Sequence, residues 1–112
     1  MPKRLAIVTG ANKGIGYHCV EQLRTALPAA DADVLLTSRN EALGLAAAKA
    51  VRQACGGGAG AILYQQCDIA DEASVERLRA WVEREYGGVD LLINNAGAPA
   101  LLRGLLPQSP LS

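Results

Sequence analysis

An apolar run, Leu5-Ala6-Ile7-Val8-Thr9, empties directly into Gly10-Ala11-Asn12-Lys13-Gly14-Ile15-Gly16, and few arrangements accommodate that junction. The run has the character of a buried strand, and a helical pattern begins right after it, so the glycines mark a strand-to-helix turn. Glycine lets the backbone turn sharply and lets a bulky anion approach the main chain. A helix opening near Gly14 adds unpaired N–H groups and the positive end of its dipole. Such a turn is either a plain tight connection or a phosphate cradle, and this spacing favours the pyrophosphate of a dinucleotide. A nucleoside-triphosphate loop fits poorly, because Lys13 precedes Gly14 and no Ser or Thr follows the last glycine.

The rest of the chain alternates the same two kinds of element. Ile15, Cys19, Leu23 and Leu27 recur at helical spacing, with Pro28 closing that helix. Val34-Leu35-Leu36-Thr37 is apolar on both faces, as a parallel strand covered by helices must be, and Asn40 is placed to cap a second helix. Leu43, Ala47, Val51 and Ala54 are its expected buried stripe, and Gly56-Gly57-Gly58-Ala59-Gly60 ends it as a connector. Residues 61–66 read as a third strand. Asp71 caps a third helix with the stripe Val75, Leu78, Val82 and Tyr86, Trp81 packing beside it, and Gly87-Gly88 stopping it. Residues 89–94 supply a fourth strand. Strands and helices in strict alternation, joined by right-handed crossovers, give an α/β fold with a doubly wound parallel sheet.

With 112 residues the chain forms one domain at most. Eleven basic and eleven acidic residues are intermixed, which leaves no basic field for nucleic acid and no acidic tail. Cys19, Cys55 and Cys67 are odd in number and widely spaced, fitting neither zinc nor a secreted disulfide framework, so reduced thiols and a cytoplasmic location are expected. No apolar run reaches membrane-spanning length, and the basic start, Met1 to Arg4, lacks a cleavage signature. His18 has no ligand or nucleophile at a useful spacing, so no metal site is expected and His18 is read as a surface residue.

Thr9-Gly10-Ala11-Asn12-Lys13-Gly14-Ile15-Gly16 resembles the cofactor motif of the short-chain dehydrogenases/reductases, the Asn-Lys pair being similar to that of NADPH-dependent carbonyl reductases. Ser38-Arg39, Cys67-Asp68-Ile69, Tyr86-Gly87-Gly88-Val89-Asp90 and Asn94-Asn95-Ala96-Gly97 follow in the family's order. The resemblance implies a truncated Rossmann-like fold of four strands, in the spatial order 3-2-1-4, with three helices. It divides the chain into an NADP(H)-binding half domain, residues 1–97, and an irregular apolar tail unlike the family, residues 98–112.

Arg39 stands just past the second strand, where a dinucleotide fold that prefers NAD places an acidic residue on the ribose. A positive charge there either grips the 2′-phosphate of NADP(H), helped by Lys13, or is a solvated surface arginine. By resemblance, Asp68 accepts a hydrogen bond from the adenine amino group, with Ile69 alongside the base; otherwise Asp68 is a loop aspartate satisfying nearby N–H groups. Asn95, Ala96 and Gly97 end the fourth strand at the carboxyl edge, where open α/β sheets bind ligands, and their small size suits a backbone lining a cofactor. With Gly10, Asn12, Lys13, Gly14, Ile15 and Gly16 these make up the expected cofactor site.

The family's catalytic serine and Tyr-x-x-x-Lys pair come after the Asn-Asn-Ala-Gly turn and have no match here. Tyr17 is followed four residues on by Glu21, Tyr64 by Asp68 and Tyr86 by Asp90, each with the wrong sign to lower a phenol's pKa. The expected function is therefore that of an NADPH-dependent reductase of aldehydes or ketones, represented by its cofactor-binding half. The alternative is a non-catalytic truncated or splice product that binds nucleotide or pairs with a full-length relative. Leu91, Leu92 and Ile93 form an apolar strand whose family neighbour is missing, so self-association through that edge is expected unless residues 98–112 cover it.

Overall fold

Leu5, Ala6, Ile7 and Val8 are at most 2% exposed, and Val34, Leu35 and Leu36 are fully buried. Successive strand residues point to opposite faces, so both faces of these strands must be covered. The computed structural model describes residues 4–10, 14–27, 31–55 and 61–94. In chain order the elements are β1 (Arg4–Thr9), α1 (Gly14–Ala26), β2 (Ala32–Ser38), α2 (Glu41–Ala54), β3 (Ile62–Gln66), α3 (Glu72–Tyr86) and β4 (Leu91–Asn94). The strands form one parallel sheet in the order β3-β2-β1-β4, with Val8 beside Leu36 and Ile93, and Leu36 beside Tyr64. Fold class and strand order are thus those the motifs implied. The glycine-rich connector, Pro28 and residues 98–112 lie outside the described residues.

Two apolar clusters sandwich the sheet. Val8, Val34, Leu36 and Ile62 pack under α1 and α2, while Leu5, Ile7, Leu35 and Cys67 pack under α3. On α3 the expected stripe is found: Val75, Leu78 and Val82 are buried, with Tyr86 and Trp81 half-buried against the same cluster. Asp71 caps this helix by accepting from Ala73 N at 3.0 Å, and Gly87 ends it in the left-handed region at φ 76°.

Of the stripe expected on α2, Ala47 and Val51 are buried as expected, and Leu43 and Ala54 are corrected. Leu43 is 55% exposed and Ala54 is also exposed, whereas Gly44, Ala47, Ala48 and Val51 are buried. The helix turns its smallest residues inward because it lies close to the sheet, a choice that ranking residues by hydrophobicity misses. On α1, Val20 is fully buried between half-buried Cys19, Leu23 and Leu27, and the side chain of Ile15 lies outside the description. The larger surprise is Arg24, only 2% exposed. Its guanidinium donates to Ala32 O at 2.9 Å, Ala61 O at 3.0 Å and Leu27 O at 3.1 Å, joining the end of α1 to the starts of β2 and β3.

Two carboxylates fasten the amino edge. Asp90 accepts from Leu5 N at 2.8 Å and returns its own N–H to Leu5 O at 2.9 Å, locking β4 onto β1. Tyr86 Oη donates to Asp33 Oδ2 at 2.6 Å, joining the last turn of α3 to β2. Burial, followed by that hydrogen bond and the Asp33 charge, pushes the Tyr86 phenol well above its ordinary range. The unfolded chain releases this proton first, near the usual phenol pKa of about 10, so the stability it contributes is full below that pH and is lost as pH climbs toward the folded value. The stability gap between the natural protein and Tyr86→Phe, from urea unfolding, should therefore narrow between neutral pH and pH above about 10. A gap that stays constant across that range argues against the bond.

Candidate functional site

Because all four strands run the same way, their carboxyl ends share one edge, and Thr9, Ser38, Gln66 and Asn94 close it. At the end of β1 the chain enters the glycine turn. Gly10 has φ 60° and Gly14 φ 62°, a region that side chains with a Cβ rarely occupy. A Cβ built on Gly14 meets nothing within 4 Å. That first turn carries no acidic residue, which leaves the positive end of the helix uncancelled. Gly16 is buried in the first turn of α1. Asn12 and Lys13 lie outside the described residues, as do Asn95, Ala96 and Gly97.

One strand over, Arg39 follows β2 and is exposed. Just before it, Ser38 is 1% exposed and shares a hydrogen bond of 2.9 Å with Tyr64 Oη from β3. The Tyr64 phenol is raised by burial, partly offset by this bond, which keeps it a protonated donor. The sequence offers Tyr64 only as a phenol with an acidic neighbour and gives Gln66 no role, although Ser38 and Tyr64 occupy same-face positions on strands in contact. That spacing is the signal by which the pair is recognisable.

Two strands over, Asp68 is half-buried and bonded locally: its Oδ1 accepts from Ala70 N at 3.0 Å, and its N–H donates to Ser74 Oγ at 2.8 Å. Ile69 is 9% exposed and packs in the cluster beneath α3. Cys67 is 3% exposed, and burial pushes its thiol up, away from nucleophilic character. The edge thus brings together Gly10, Gly14 and Gly16, Arg39, and Asp68 with Ile69, from three adjacent strands about 4.8 Å apart. Among the described residues no group of three or more His, Cys, Asp or Glu is placed to hold a metal, and no helix is long and apolar enough to cross a membrane.

Known proteins are similar to this chain in sequence and fold. Bovine (Bos taurus) carbonyl reductase (NADPH) 1 is 46% identical over 93 residues, which are 83% of this chain and 31% of that one. (+)-Neomenthol dehydrogenase of Arabidopsis thaliana is 37% identical over 99 residues, 88% of this chain and 32% of the relative. The menthone neomenthol reductase structure from Mentha piperita superposes with a TM-score of 0.75 at 40% identity, covering 87% of this chain and 32% of that one. The chain therefore spans about a third of the length of the curated relatives it matches. The family model described as short chain dehydrogenase matches residues 4–108, extending beyond the Asn94-Asn95-Ala96-Gly97 turn at which the motif resemblance ends. A glycine turn at the carboxyl edge, the strand order and this match agree, and the chain belongs to the short chain dehydrogenase family.

Proposed function

We propose that this chain binds NADP(H) along the carboxyl edge of its sheet and is the cofactor-binding half of a carbonyl reductase. The observation that carries the proposal is the junction of β1 and α1: two glycines at positive φ, open space at Gly14, and an exposed arginine at the end of the adjacent strand. These residues fit a dinucleotide that carries an extra phosphate. The N–H groups at the start of α1 would hold the pyrophosphate, Arg39 the 2′-phosphate, and Asp68 the adenine. Identity to a carbonyl reductase named for NADPH supports the choice of cofactor. When bound, such a cofactor supplies hydride to a carbonyl carbon; the residues described here bind and orient it.

NADPH is expected to bind more tightly than NADH. A hydrogen bond to a charged group is worth about 1.5–3 kcal/mol, so Arg39→Ala should weaken NADPH roughly ten- to a hundredfold and leave NADH nearly unchanged. Calorimetry on the folded chain measures both, with Gly14→Asp as a control that removes the cradle. Equal affinities for NADPH before and after Arg39→Ala would refute the assignment.

Self-association is proposed from β4, which among the described residues pairs only with β1 and leaves Leu91 41% exposed. An apolar strand edge of this kind recruits a second chain. Sedimentation should show concentration-dependent oligomers. A single monomer boundary, unchanged on deleting residues 98–112, counts against it.

A further inference from the structure

Each backbone carbonyl of the Ser38-Arg39-Asn40 turn is an acceptor. Ser38 O accepts from Cys67 N at 3.0 Å and lies 3.3 Å from Tyr64 Oη, whose single proton is shared between this carbonyl and Ser38 Oγ. Arg39 O accepts from Gln66 Nε2 at 3.0 Å. Asn40 O accepts from Ser38 Oγ at 2.8 Å and from Gly44 N at 3.0 Å, while the Asn40 side chain caps α2 through Leu43 N at 2.9 Å. Ladder and helix bonds account for the backbone donors. Those from Tyr64 and Gln66 are different: two side chains of β3 reach across to an exposed turn of the neighbouring strand.

An exposed carbonyl such as Arg39 O is satisfied by water at little cost, so the Gln66 bond does not answer a burial problem. What it fixes is direction. A long, flexible side chain loses about 2 kcal/mol of rotamer freedom when it is held, and every bond that immobilises its root reduces what remains to be ordered when it meets an anion.

We infer that Tyr64 and Gln66 are positioning residues for cofactor choice: through the backbone of the 38–40 turn they orient Arg39 toward the 2′-phosphate and so set the preference for NADPH over NADH. The inference rests on the proposed role of Arg39. Gly44 belongs to the same device, because a Cβ there would strike the Tyr64 ring and Ser38 Oγ.

The test is a set of affinities and an exchange measurement on the full chain. Gln66→Ala and Tyr64→Phe should each lower the ratio of NADPH to NADH affinity by about two- to tenfold, the range of one hydrogen bond. Amide exchange at residues 39–43 of the unliganded protein should quicken in both variants. In an Arg39→Ala background neither change should move the ratio further, which separates positioning from general structure. Loss of NADPH and NADH affinity in equal measure, or an effect that persists without Arg39, overturns the inference. Two failures stay distinct. If Arg39→Ala alone leaves the ratio unchanged, the assignment of Arg39 falls and the inference with it. If Arg39→Ala lowers the ratio but Gln66→Ala and Tyr64→Phe do not, only the inference falls. Because Gln66 makes an exposed bond, its variant folds even if Tyr64→Phe does not.

Discussion

Arg24→Ala should lower the unfolding free energy by about 3–5 kcal/mol, a large share of the roughly 5–15 kcal/mol that holds a domain of this kind. The guanidinium serves three carbonyls from separate parts of the chain, Leu27 O, Ala32 O and Ala61 O, in a setting only 2% exposed. Ala61 O keeps its bond from Val34 N at 3.1 Å, but removing the guanidinium takes the side-chain donor from Leu27 O and Ala32 O, at about 1–3 kcal/mol for each that is left unpaired and that water does not reach, and opens a cavity where the side-chain stem packed. Arg24 also sits in the last turn of α1, where its charge opposes the negative end of the helix. Lysine is not an adequate substitute, because a single ammonium on a flexible stem cannot match a planar fork aimed at carbonyls on different elements. Urea unfolding should therefore rank the natural protein above Arg24→Lys, and Arg24→Lys above Arg24→Ala. A midpoint for Arg24→Ala within error of the natural protein would show that the bonds carry no net stability.

Gly44→Ala is expected to destabilise by about 2–4 kcal/mol, even though alanine is the better helix former by about 1 kcal/mol. The added Cβ would lie under 3.0 Å from Tyr64 Cε1, Tyr64 Cζ and Ser38 Oγ. Relief requires the tyrosine to swing away, which breaks its bond to Ser38 and strips a partner from a hydroxyl in a residue 1% exposed. A double-mutant cycle isolates the cause. With Tyr64→Ala the ring is gone and Ser38 Oγ is the obstruction that remains, so Gly44→Ala should cost clearly less in that background. The idea fails if Gly44→Ala costs the same in both backgrounds.

Residues whose role is set by local chemistry were legible without coordinates. Asn40 and Asp71 cap the helices they precede, Gly87 stops α3, and the apolar runs around Ile7 and Leu35 become the doubly covered strands. Gly10 and Gly14 have the backbone angles that their motif called for. What escaped was decided by contacts between distant segments. Arginine reads as a surface residue, and nothing near Arg24 in sequence announces carbonyls at positions 32 and 61. Leu43 outranks Gly44 on any hydrophobicity scale, yet the inward position went to the residue that leaves room for a tyrosine from β3. The same applies to the turn carrying Arg39. Its position after a strand was readable, whereas its fastening by Tyr64 and Gln66 depends on strand register.

The clasp between Leu5 and Asp90 bears on how the chain is made. β1 leaves the ribosome before the other three strands of this sheet, yet it occupies an interior place and is bound on one flank to a residue 85 positions later. At about 5–20 residues per second those positions take about 4–17 s to synthesise, and throughout that interval the strand has an apolar flank with no neighbour to pair. β2 can arrive early and cover the other side, but the sheet cannot close around β1 during translation until Asp90 has emerged. How long that flank stays uncovered during synthesis is set by the order of the strands rather than by the stability of the finished fold.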